Sequence, residues 1–84
     1  MKHASPQALE RLARHLDELR GLSGLQERKP GVFYRRSRAF LHFHEDGDDL
    51  YADVRISGAD FERFRVTSRT EQQALLRHLR VALK

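Results

Sequence analysis

The stretch FLHFHEDGDDLYADVRI, residues 40–56, decides the fold. Leu41 and Phe43, then Leu50, Ala52, Val54 and Ile56, are apolar at every second position. That is the period of a half-buried β-strand. Asp46-Gly47 lies between the two runs and is a preferred two-residue hairpin turn. With that pair at the turn, Phe43 faces Leu50, Leu41 faces Ala52 and Ala39 faces Val54, so apolar meets apolar throughout. A three-residue loop sets Leu41 against Asp53, which argues for the two-residue register. The acids Glu45, Asp46, Asp48 and Asp49 then serve the turn and its rims.

The same logic extends upstream. A turn at Arg36-Ser37 pairs Tyr34 with Ala39 and Val32 with Leu41. Strands are predicted over about 32–36, 38–45 and 49–56, and FERFRV, 61–66, adds a short fourth with Phe64 and Val66 on one face. Flanking these are two helices. In SPQALERLARHLDELRGL, Ser5 is a good N-cap and Pro6 suits the first helical position. Leu9, Leu12, Leu16 and Leu19 make one face apolar, and Gly21 is a natural residue to end the helix. QERKPG reads as a polar connection. Ser68 and Glu71 fit a capping box for a last helix, 69–83, with Leu75, Leu76, Leu79, Ala82 and Leu83 inward. The predicted fold is α+β: one domain, 1–84, ordered α-β-β-β-(β)-α. It has a single-layer antiparallel sheet of 3–4 strands, with the N- and C-terminal helices packed on one face.

Composition narrows the function classes. The chain has 84 residues and no cysteine, so neither a disulfide framework nor a thiolate metal site exists. MKHASPQALE has no apolar region of a signal peptide, and no apolar run approaches membrane-spanning length, so a cytoplasmic protein without a membrane partner is expected. Net charge is +4, with 16 Lys+Arg against 12 Asp+Glu. The mixture of signs is that of a solvated surface more than of a dedicated polyanion binder.

The sheet face opposite the helices is the predicted binding surface. It displays Phe33, Arg35, Arg38, Phe40, His42, His44, Tyr51 and Arg55, with Asp49 and Asp53 beside them. In the predicted register Phe33 faces Phe40, His42 faces Tyr51 and His44 faces Asp49. Two imidazoles two residues apart on one strand face can converge on one ion, and Asp49 can add an oxygen. His42, His44 and Asp49 are therefore the candidate metal ligands, although the local pattern holds no third nitrogen. Phe33, Phe40 and Tyr51 interleaved with Arg35, Arg38 and Arg55 suit base stacking and phosphate pairing in single-stranded nucleic acid. Asp49 and Asp53 oppose that reading. The serines and threonines sit at turns and caps, and no nucleophile motif or phosphate-cradling glycine loop occurs. No catalytic residue and no cofactor are expected, and a non-enzymatic binding or interaction module is favoured over a metal-binding or enzymatic domain using His42 and His44. An exposed Phe33–Phe40 pair further predicts a weak homodimer.

Two resemblances accompany these residues. GLQERKPGVFYRRSRAFLHF followed by DGDDLYADVRI resembles the MmcQ/YjbR-type proteins, which implies a double-wing fold similar to some DNA-binding domains. RAFLHFHEDGDDL together with FRVTSRTEQQALLRHLR resembles small bacterial luciferase-like domain proteins. The residues that match there are Phe40, His42, His44 and Gly47, and that likeness implies no defined reaction for so small a protein.

Overall fold

The computed structural model describes residues Met1–Lys84. The element order is β1 (Lys2–His3), α1 (Pro6–Arg11), α2 (Ala13–Arg20), β2 (Gln26–Lys29), β3 (Val32–Arg35), β4 (Arg38–Asp46), β5 (Asp49–Val54), β6 (Glu62–Arg65) and α3 (Arg69–Ala82). All strand pairs are antiparallel. The sheet runs β2-β3-β4-β5-β6, and β1 pairs with β4 beside it. The α+β class and the terminal helices are as predicted, but the sheet has six strands instead of three or four.

Both additions come from segments without an apolar alternation. β2 is QERK, expected as a connection. It is held by a turn: Pro30-Gly31 follows it, Gly31 has φ +77°, and Lys29 pairs with Val32 across the turn. Proline then left-handed glycine is the type II arrangement. Arg20 also grips Glu27 of β2 at 2.6 and 3.1 Å, tying the strand to the end of α2. β1 is only two residues, but Ser5 caps α1 by accepting from the Ala8 N–H, and the Ser5 N–H donates to Glu45. The chain start is thereby fastened along β4.

The first helix, expected as one run, is interrupted at Leu12, whereas the last helix follows its sequence signals. Leu12 separates α1 from α2; its N–H is shared between the carbonyls of Ala8 and Leu9 at 3.2 and 3.1 Å. Gly21 caps α2 in right-handed geometry, φ −81°, and the left-handed residue is Gly24. The Ser68–Glu71 capping box starts α3.

Two registers differ from expectation. Across β4–β5, Phe43 pairs with Ala52, Leu41 with Val54, His44 with Tyr51 and His42 with Asp53. The turn is Gly47-Asp48, not Asp46-Gly47. Gly47 has φ +60° and Asp48 does not have positive φ. Glycine at the first central position is the type II′ requirement. Across β3–β4, Tyr34 pairs with Ala39 as predicted, but Phe33, not Val32, pairs with Leu41. This bulge leaves Phe40 as the extra residue of β4 and turns Phe33 to the core.

Fifteen buried residues form one cluster. Leu12, Leu16 and Leu19 of the first helices and Leu75, Leu76 and Leu79 of the last join Leu41, Phe43, Leu50, Ala52 and Val54 of the central hairpin. Each such aliphatic or aromatic side chain contributes about 1.5–3 kcal/mol by leaving water. Phe33 and Phe40, 1 % and 3 % exposed, belong to this cluster. They are not an open aromatic pair, so the basis for the predicted homodimer is absent. No helix is long and apolar enough to cross a membrane.

Candidate metal centre

The alternation of β4 turns His42 and His44 away from the core cluster, and the ladder brings a third imidazole to them. β1 pairs His3 with His44 and Lys2 with Glu45, and the Ala4 N–H donates to the Phe43 carbonyl at 3.1 Å. Paired residues on neighbouring strands share a face. The His3 and His44 rings accordingly stack at 4.7 Å, 28° apart, and His42 meets His44 edge-on at 4.9 Å. One ring nitrogen from each of His3, His42 and His44 lies within 4.8 Å of the other two.

His42 Nδ1 and His44 Nε2 are 3.0 Å apart. Two lone pairs at that distance repel, so one of the two nitrogens carries a proton in the metal-free protein. Asp53 Oδ2 lies 3.2 Å from the same His44 Nε2. Arg63 grips the Asp53 carboxylate through Nε at 2.8 Å and a second nitrogen at 2.9 Å. That bidentate hydrogen bonding holds Asp53 ionised, with its pKa below the usual carboxylate value. His42 and His44 are half-buried. Burial lowers the pKa of both, and for His42 the neighbouring His44 lowers it further. Both are therefore neutral at physiological pH, the form that has a lone pair to give. Phe61 covers one side, its ring 4.8 Å from that of His42.

This donor set fits a metal ion. Nitrogens bonded at about 2.0–2.1 Å in tetrahedral geometry lie about 3.4 Å apart. One pair is already at 3.0 Å, and the widest separation of 4.8 Å must close by little more than 1 Å. Imidazole nitrogen with carboxylate oxygen and no thiolate suits zinc and neighbouring divalent transition metals. The Asp53 charge is already balanced by Arg63, so the fit rests on the three imidazoles.

The sequence-predicted ligand set needs one correction. Asp49 is at the hairpin end, opposite Asp46, and binds Arg65 at 2.7 Å. Asp53 takes its place because the real register displaces β5 by two residues. His3 lies on a segment whose only strand signal is its distant partner. The remaining predicted face residues divide. Phe33 and Phe40 are buried and offer no ring to a nucleobase. Tyr51 is half-buried opposite His44. Arg35, Arg38 and Arg55 gather elsewhere, around the β3–β4 turn. No protein-family model, curated protein or solved structure matches the chain.

Proposed function

We propose that this chain is a small metal-binding module that holds one divalent transition-metal ion, with zinc as the natural probe. His3, His42 and His44 are the ligands, and Asp53 lies beside them. The reading rests on one observation: His3 on one strand and His42 and His44 on another, 39 and 41 residues away in sequence, converge to within 4.8 Å. Stacked surface histidines with no ligand to hold need no such tether. Here the chain start is fixed by a ladder bond on one side and a helix cap on the other.

Zinc titration followed by calorimetry and by the imidazole NMR signals tests it. One equivalent saturates the protein, and the shifted signals are those of His3, His42 and His44. His3→Ala weakens binding by more than about tenfold, the loss typical of removing even an outer-shell partner. Equal affinity in His3→Ala, or shifts centred on the remote His78, refutes the assignment.

A further inference from the structure

Four arginines meet at one place without a carboxylate among them. Arg35, Arg36, Arg38 and Arg55 line a cleft of about 150 Å³ that also touches Phe40 and Gly58. Arg20, Arg63, Arg65 and Arg69 each bind an acid; Arg11, Arg14, Arg28, Arg77 and Arg80 do not, but they are not gathered in this cleft, and none of the four cleft arginines binds one. Backbone carbonyls hold three of them instead. Arg38 donates to Gly58 at 3.2 Å, Arg35 to Ala82 at 3.3 Å, and Arg55 to Ala39 and Ala59 at 3.0 and 2.7 Å. A guanidinium has five N–H donors, so these bonds orient the groups and leave donors unused. Like charges fixed around a cleft raise its potential and favour an anion.

The backbone adds an independent observation. Arg36 and Ser37, the two central residues of the β3–β4 turn, have φ of 52° and 69°. Such turns ordinarily take asparagine or glycine. Side-chain-bearing residues held in left-handed geometry cluster at ligand clamps, and here the strained turn carries Arg36 to the cleft.

We infer that this cleft binds a phosphate group, as inorganic phosphate or as the head of a small phosphomonoester. The guanidinium fork matches phosphate oxygens two at a time, which an ammonium cannot do. The volume is that of about five waters, room for one tetrahedral group and its first substituent. A nucleic-acid strand needs a longer groove spanning several nucleotides.

The test uses protein dialysed free of metal, so it stands or falls apart from the metal reading. Backbone amide and arginine Nε–H signals are followed at constant ionic strength while inorganic phosphate, and separately phenyl phosphate, is added. Phosphate is expected to give saturable one-to-one shifts at Arg36, Arg38, Arg55 and Gly58. Arg38→Lys, which keeps charge and loses the fork, weakens binding severalfold. The double variant Arg36→Gln/Arg38→Gln weakens it at least tenfold while its thermal melt confirms folding. Phenyl phosphate binding as tightly as phosphate assigns an ester ligand; phosphate binding alone assigns the free ion. Three results overturn the inference: shifts that do not saturate, equal shifts at the remote Arg77 and Arg80, or tighter binding of a short oligothymidylate with steep salt dependence.

Discussion

His15→Leu should make this protein more stable, and increasingly so in acid. His15 is 0 % exposed, and neither ring nitrogen has a hydrogen-bond partner. Glu18 Oε1 lies 3.9 Å from Nδ1, too far for a hydrogen bond. The ring otherwise stands edge-on to Phe43 at 5.9 Å. Burying polar nitrogens without partners costs about 1–3 kcal/mol on mutational scales, so a leucine there gains about 1–2 kcal/mol at pH 7. Burial also lowers the His15 pKa from 6.5 to about 4; the nearby Glu18 opposes that shift, and Arg69 adds to it. The unfolded chain therefore takes up a proton near pH 6.5 that the folded chain refuses until about pH 4. The titration of this group leaves stability independent of pH above 6.5 and removes about 3 kcal/mol as pH falls from 6.5 to 4. Urea unfolding of both proteins at pH 7, 5.5 and 4 measures the difference directly. Carboxylates shared by the two proteins, such as Glu27 and Asp53, cancel in it. The gap should widen from about 1–2 kcal/mol at pH 7 to about 4–5 at pH 4. A leucine variant less stable at pH 7, or a gap that does not change with pH, refutes the reasoning.

Gly31→Ala should cost more than Gly47→Ala, because both have positive φ but only at Gly31 would an added Cβ meet a side chain, Leu9 Cδ2 at 2.8 Å. Chemical denaturation should show about 1 kcal/mol lost at Gly47 and clearly more at Gly31. Phe40→Ser should destabilise by at least about 3 kcal/mol, since that ring is in the core. Sedimentation at the same concentrations should show no association in the wild type that the substitution removes. Phe61→Ala should cost only about 1 kcal/mol, as that ring is 37 % exposed and its loss chiefly removes packing on His42 and the Arg55 guanidinium. It should move the His42 titration midpoint in metal-free protein upward toward 6.5, because part of the burial that lowers it is gone.

The central hairpin shows how far sequence reaches. Registers that differ by two residues keep every side chain on the same face, so apolar alternation supported Phe43 against Leu50 as well as the actual Phe43 against Ala52. Only turn chemistry separates them, and DGD offers glycine to either of two turns. From Leu41 onward the face assignments therefore survived, and His42 and His44 were found, whereas their cross-strand partners were not. The bulge at Phe40 had no local signature; it arises because burying Phe33 and Phe40 together outweighs a regular ladder. QERK and KH carry no hydrophobic pattern, since edge strands owe their place to neighbours and turns rather than to their own burial. That is why the local pattern around His42 and His44 offered no third nitrogen.

The two-residue strand at the chain start has a consequence for colloidal behaviour. β3 covers β4 only from Arg38 to Leu41, and β1 takes over at His44 and Glu45. Strip away the first four residues and the outer half of β4 becomes a bare edge. It would present unpaired carbonyls beside alternating Phe and His, a template on which a second chain could add its own strand. Lys2 and His3 thus cover that edge, and the truncation that uncovers it would also remove His3, one of the proposed ligands.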